Sequence, residues 1–256
     1  MSSTSAFPPS KSPRSDEPLT TGRLRGQVQP VASLTPDERA QMVALLATYF
    51  DDVTQPNFEA DLAEKEAVIL LADRERGQIR GFSTLMRLHS TIAGQPIVAF
   101  FSGDTIIDRA YWGETVLPRL WARHVFGEAA LLHKARVYWF LISSGYKTYR
   151  FLPLFFREFY PTFERPTPPE IKHLLDSLAL LKFPTGYEPV RGIVRLANAA
   201  PLRPDVANIE ARRLRDPHIA FFAATNPGHA QGDELACLTE IVPTNLTAAG
   251  RRMLGK

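Results

Sequence analysis

Cysteine is nearly absent from this chain: 256 residues contain one, Cys237. A disulfide framework is therefore excluded, and the chain suits a reducing compartment; a cytoplasmic location is expected. A lone thiol reads first as a small buried hydrophobe. Long apolar runs are missing too. None approaches the roughly 20 residues needed to cross a bilayer, so no transmembrane segment is expected. No Walker-type or dinucleotide-type glycine pattern follows a strand-like run, which argues against an unrelated α/β nucleotide-binding protein. No Gly-x-Ser-x-Gly marks a serine hydrolase. His89, His124, His133 and His173 lack metal-ligand spacing, so no metal is expected. Zinc-finger spacing, an RNA-binding aromatic motif and long basic runs are also wanting, and nucleic acid is not an expected partner.

What is present is ordinary globular material, 45% hydrophobic and 22% charged. The length allows one full core with appendages. Net charge is only +3, but it is unevenly spread. Arg109 to Arg157 holds eight Lys/Arg against two Asp/Glu. A local positive field of this kind favours an anionic ligand, although a solvated helix face explains Arg119, Arg123 and Lys134 equally well.

Three segments follow from patterning. Residues 1–29 are rich in Ser, Pro and Thr and are expected to form a disordered tail. Residues 30–160 carry the main alternation of elements. Thr35-Pro36-Asp37-Glu38 is a capping box opening a helix with Met42, Leu45, Leu46 and Tyr49 on one stripe. A second short helix is expected from Asn57 to Lys65. Ala67–Ala72, Ile79–Leu88 and the run from Ile97 read as an antiparallel meander. Residues 161–256 form an extension: a second capping box at Thr167–Glu170, an apolar-striped helix, and strands expected at Val190–Leu196, His218–Ala223 and Glu234–Thr239.

The central stretch is Ile97 to Phe156. A buried strand (97–107) leads through Asp108–Thr115 into a helix at Val116–Ala130. A second buried strand (137–142) ends at Ser143-Ser144-Gly145, and a helical run from Tyr146 to Phe156 follows. Strand–helix–strand with this crossover implies a parallel pair. Ligands in such sheets sit at the carboxyl ends of the strands, here Asp108–Thr115 and Ser143–Tyr149.

This order resembles the GCN5-related N-acetyltransferase (GNAT) superfamily over residues 34 to 160. In that family the first parallel strand leads to a turn, Gln/Arg-x-x-Gly-x-Gly/Ala, whose amides hold the pyrophosphate of acyl-CoA. Gly113 matches the first glycine, Thr115 occupies the second small position, and Arg109 stands one place from the leading basic residue. Arg150-Phe151-Leu152 is similar to the family's later Arg-Phe-Tyr. The resemblance implies an α/β (α+β) fold with a GNAT-like mixed sheet and a C-terminal extension. It implies an acyl-CoA co-substrate, acetyl-CoA or longer, held by Arg109, Tyr111, Trp112, Gly113, Glu114, Thr115, Ser143 and Ser144. It also implies direct N-acyl transfer to a small-molecule or peptide amine. An acyl carrier protein is an alternative donor, and a catalytically inactive binding module is the alternative function. The extension is open to use as a lid, a specificity element or a homodimer face.

The residues themselves support this chemistry in part. A helix N-terminus beside a glycine can cradle a phosphate, though the same segment serves equally as a plain strand-to-helix turn. Acyl transfer needs a base for the amine and an acid for the departing thiolate. Asp104 is the candidate base. It follows Gly103 inside an apolar strand, where a glycine suggests a bulge that turns a side chain into a cleft. Leu152 stands at the family's usual Tyr, so Tyr149 and Tyr146 are the candidate acids, each with core packing as its other role. Ser143 and Ser144 either contact the donor's pantetheine arm or cap the next helix.

Overall fold

The computed structural model describes residues 17–197 and 201–255. In chain order the elements begin with β1 (Leu19–Thr21), β2 (Leu24–Pro30), α1 (Pro36–Tyr49), α2 (Gln55–Ala63), β3 (Ala67–Asp73) and β4 (Ile79–Ile92). They continue with β5 (Gln95–Ile107), α3 (Val116–Ala129), β6 (Arg136–Ser143), α4 (Tyr146–Tyr149), α5 (Phe151–Phe155) and α6 (Pro169–Lys182). Last come β7 (Tyr187–Glu188), β8 (Ile193–Val194), α7 (Pro204–Ala207), α8 (Pro217–Thr225), β9 (Glu234–Glu240) and α9 (Ala248–Met253). The strands form one sheet in the order β1-β2-β3-β4-β5-β6-β9-β8-β7.

The sheet divides the core in two. One face carries α1 and α2, with Met42, Leu46, Tyr49 and Phe58 against Leu70 and Phe82, and beside them α6, with Leu174 and Leu178 against Phe101 and Phe140. The other face carries α3, α4, α5, α8 and α9 around Trp121, Trp139, Tyr149, Phe156 and Phe222. Helix α1 starts where its capping box predicts: Thr35 Oγ1 accepts from Glu38 N, and Glu38 accepts from Thr35 N at 2.8 Å.

Among the described residues β5 and β6 are the one parallel pair, in register from Ile97↔Arg136 to Ser102↔Leu141. Beyond that point they part. β5 stays with β4, from Thr105↔Ser83 to Ile107↔Gly81. β6 stays with β9, at Ile142↔Ala236 and Ser143↔Leu235. The result is a split that opens toward the carboxyl ends of both strands.

Several expectations need correction. The Ser/Pro-rich tail does not reach residue 29: Leu19–Pro30 forms β1 and β2, which pair with each other and with β3. Leu24 and Val28 are buried there against α3, an anchor that local composition hides; residues 1–16 lie outside the described residues. The helix expected from Tyr146 to Phe156 is two short pieces, because Pro153 has no N–H to give the Tyr149 carbonyl. Thr167 caps nothing: α6 starts at Pro169 with Pro168 as its N-cap and no side-chain bond. His218–Ala223 is helix α8, not a strand, started by Asp216 accepting from His218 N with Pro217 in the first turn. Of Val190–Leu196 only Ile193–Val194 is strand. The extension's β9 pairs directly with β6, so one continuous sheet runs through both segments.

Candidate active site at the split between β5 and β6

The turn after β5 is held from outside. Asp108 receives Ala110 N (3.0 Å) and Arg80 Nη1 (3.2 Å), and the Tyr49 hydroxyl donates to it at 3.4 Å. Tyr111 is buried and its hydroxyl donates to Asp73. Glu114 accepts from Arg23 N at 3.2 Å. These anchors fix the backbone at Gly113, whose φ of +100° suits only glycine; no atom lies within 4 Å of where a Cβ would stand. Among the described residues the amides of Gly113, Thr115, Val116 and Leu117 have no protein acceptor, and Thr115 caps α3 without a side-chain bond. Pro118 withholds only a donor that the first turn leaves free in any case. Trp112 donates its indole N–H to Ile107 O at 2.9 Å and lies between two cations, Lys147 Nζ at 3.7 Å and the Arg109 guanidinium at 5.3 Å from its ring. Burial, then the charges of Arg109 and Arg213, lower the Lys147 pKa, and the Asp205 carboxylate opposes them.

The α3 face of the split contains an apolar cavity of ≈ 50 Å³, lined by Ser102, Gly103, Leu117, Trp121, Leu141 and Phe151 among others. Its floor is fixed by Ser102, whose hydroxyl accepts both the Trp121 (3.1 Å) and the Trp139 (2.9 Å) indole N–H. Ser143 does not face this space: it is buried and its hydroxyl donates to Gly145 O at 2.7 Å. It closes the turn into α4 without capping it: Gly145 is the N-cap, and no side chain bonds there. Ser144 beside it is half-buried, and its hydroxyl makes no hydrogen bond among the described residues.

The opposite face of the split carries the carboxylate. The β4–β5 register shifts between Ser83 and Leu85, so Thr84 alone opposes Gly103 and Asp104. This is the bulge expected at Gly103, and it brings Asp104 to the side of α2. A Cβ on Gly103 would come within 2.5 Å of Thr84 Oγ1 and 2.7 Å of Lys65 Cε, so glycine is needed to let both side chains in. Asp104 keeps some solvent contact yet is walled by protein, and burial, with the Asp61 charge adding to it, raises its pKa to about 6; Lys65 opposes this. Such a carboxylate is ionised at neutral pH and still basic enough to take a proton.

The two candidate tyrosines part company. Tyr149 is fully buried, donates to Pro161 O at 3.0 Å, and burial pushes its pKa far up. It is a core tyrosine, and the structure withdraws it as a proton donor. Tyr146 packs its ring in the same core, but its hydroxyl makes no hydrogen bond among the described residues. The Arg109 guanidinium is half-exposed and pairs with Asp205 at 3.0 Å. Asp205 belongs to a segment tied to the end of α1 and to Arg150. Its residue Pro201 accepts from Asp51 N (2.9 Å), Arg203 N donates to Tyr49 O (2.9 Å), and Asp216 holds Arg150 at 3.2 Å.

One residue escaped the sequence reading. Glu234 opens β9 and lies on the same face as Asp104, because Leu235 beside it packs with α3's core and Ala236 with α6's. Asn226 Nδ2 pins this start of β9 to the end of β6, bonding Asp233 O (2.8 Å) and Ser143 O (3.3 Å). The available signal was an acid at the first position of an apolar strand.

No family model matches the chain, and no curated protein matches it. Among solved structures it is similar to a conserved protein of unknown function from Enterococcus faecalis, at 16% identity and a TM-score of 0.39 over 52% of this chain and 33% of that one. It therefore spans about a third of that protein's length. It is also similar to an Escherichia coli GNAT family N-acetyltransferase, YhbS, solved with CoA (17%, TM-score 0.35, 52% and 71%). A third is a Trypanosoma brucei acetyltransferase (18%, TM-score 0.38, 57% and 99%). The fold is GNAT-like. That statement stands on the meander, the single parallel pair and its split; overlaps this partial add nothing about chemistry.

Proposed function

We propose that the protein is an acyl-CoA-dependent N-acyltransferase that passes the acyl group directly to an amine. The observation that carries this is the split itself: free amides and an apolar cavity on one face, and a recessed carboxylate turned in by a bulge on the other. The amides of Gly113, Thr115, Val116 and Leu117 are suited to the donor's pyrophosphate, with Lys147 adding positive charge. The apolar cavity between Ser102 and Phe151 suits the donor's acyl group. The acceptor approaches from the α1–α2 face.

Asp104 takes the proton from the attacking amine as the new C–N bond forms. The C–S bond then breaks, and Tyr146, whose hydroxyl has no protein partner, returns a proton to the thiolate. No covalent enzyme intermediate is needed. The reading is tested by thermal shift with acetyl-CoA, a long-chain acyl-CoA and free CoA. A ligand at about 100 times its Kd stabilises the native state by roughly 2.7 kcal/mol. Gly113→Glu places a carboxylate in the cradle and strain on the backbone, and it is expected to abolish the shift with acetyl-CoA while the protein stays folded. An unchanged shift in the folded variant overturns the cradle assignment.

A further inference from the structure

A second and larger cavity, of ≈ 470 Å³, lies at the opposite end of β6 from the split. It is bordered by Arg136 and Tyr138 at the start of β6, by the end of β9, and by Glu170 and Ile171 in the first turn of α6. The length of β6 sets it roughly 20 Å from Ser143. Asn245 fixes its floor. The Asn245 Nδ2 donates to Glu158 O, Thr239 Oγ1 and Glu240 O at 3.0 Å each, and its Oδ1 accepts from Glu158 N at 2.8 Å. The Tyr160 hydroxyl donates to Glu158 at 2.8 Å, and Arg136 Nε donates to Glu240 at 2.9 Å.

Other groups on the wall are left without partners. Tyr138 is 1% exposed, yet its hydroxyl makes no hydrogen bond among the described residues. Buried hydroxyls are rarely left unsatisfied. Burial, with the Glu240 charge adding to it, pushes this pKa up to about 12 while Arg136 opposes, so the phenol keeps its proton and can donate. The N-terminus of α6 borders the same cavity. No side chain caps it, and the amides of Glu170 and Ile171 have no acceptor among the described residues. The Arg157 guanidinium and the Glu170 carboxylate line the cavity too, and neither makes an ion pair or hydrogen bond with any described residue, so they do not pair with each other.

Donors without acceptors call for an anionic group. The carboxylates of Glu158, Glu170 and Glu240, set against two guanidiniums, disfavour a ligand that is only an anion. Ile171, Leu238 and Val242 give the cavity an apolar wall. We propose that this cavity binds a free α-amino acid with an apolar side chain. Arg157, the two α6 amides and the Tyr138 hydroxyl take its carboxylate, Glu170 takes its ammonium, and the apolar wall takes its side chain. Tyr138 and Leu238 belong to the core under α6, on the face of the sheet away from α3. The site is therefore separate from the proposed donor cradle, and the proposal does not rest on the acyl-transfer reading.

The test is calorimetric titration of the full chain at pH 7 with L-leucine, with 4-methylpentanoate, which lacks the ammonium, and with 3-methylbutylamine, which lacks the carboxylate. Leucine is expected to bind about ten-fold or more tightly than either analogue, the size of one charge-assisted hydrogen bond. Arg157→Gln and Tyr138→Phe are each expected to weaken leucine about five-fold or more. Both variants should stay folded, because Arg157 is exposed and Tyr138→Phe removes an oxygen that has no partner. Gly113→Glu, in the other site, is expected to bind leucine as the parent does. Failure of leucine to bind the parent at about 10 mM overturns the proposal, as does equal affinity for the three compounds. Parental affinity in either cavity variant, or loss of leucine binding in folded Gly113→Glu, overturns it as well.

Discussion

Asp104→Asn is expected to make the protein more stable at neutral pH while it removes the base proposed for acyl transfer. The carboxyl's ordinary value is 3.8, and burial raises it to about 6. The native state therefore binds this proton more tightly than the unfolded chain does. Between those two values the folded protein holds more protons than the unfolded one, so stability falls as pH rises. The fall begins near pH 3.8 and is complete above about 6. Each tenfold gain in proton affinity is worth about 1.4 kcal/mol, which gives an upper bound of roughly 3 kcal/mol. Residual solvent contact brings this nearer about 2 kcal/mol, a melting-temperature rise on the order of 4–8 °C for a chain of this size. Asparagine keeps the shape and never ionises. Urea denaturation at pH 4 and pH 7.5 measures the effect. The variant should gain stability only at the higher pH, and the two proteins should converge at the lower one. A variant less stable than the parent at pH 7.5, or a gain of equal size at both pH values, refutes the account of Asp104 as a carboxylate held in an unfavourable place. If Asp104 is the base, kcat/KM of the parent is expected to rise as pH passes through about 6, and the same substitution should remove that rise.

Other perturbations separate structural from chemical roles. Ser102→Ala strips one acceptor from two buried indoles and should cost about 2–6 kcal/mol in chemical denaturation, since each orphaned donor costs roughly 1–3 kcal/mol. Tyr149→Phe should lose about 1 kcal/mol of stability with kcat intact, whereas Tyr146→Phe should lower kcat and leave the unfolding midpoint nearly unmoved; the reverse pattern would exchange the two assignments. Burial pushes the Cys237 thiol well above its ordinary value, so alkylation by iodoacetamide at pH 8 should track global unfolding in urea rather than occur in the native state.

Local pattern was enough for elements whose faces differ. Strands β3 to β6 and helices α1 and α3 declare themselves through alternation, apolar runs and the Thr35 capping box. Helix α8 did not. Ile219-Ala220-Phe221-Phe222-Ala223 is apolar on every side, so neither a period of 2 nor one of 3.6 stands out, and the deciding signal was Asp216-Pro217 ahead of it. β1 and β2 were hidden because Thr, Gly, Arg and Gln supply most of their residues, and only burial under α3 explains their order. In the site, Asp104 was legible because Gly103 interrupts a strand. Glu234 was not, since nothing within its own stretch of chain connects it to Asp104. That connection exists only once β9 has paired with β6.

That pairing has a consequence for how the chain is made. β6 receives its parallel neighbour β5 from residues just synthesised, but its other neighbour begins at Glu234, 91 residues after Ser143. At ribosomal speeds of about 5–20 residues per second, that gap lasts on the order of 5–20 s. During this interval one rim of β6, from Tyr138 to Ser143, has unpaired backbone groups beside Trp139, Phe140 and Leu141. An unpaired apolar rim is a template for the wrong partner, including another nascent copy. Slower elongation between residues 144 and 234 should therefore increase aggregation of newly made protein, while leaving the stability of the finished molecule untouched.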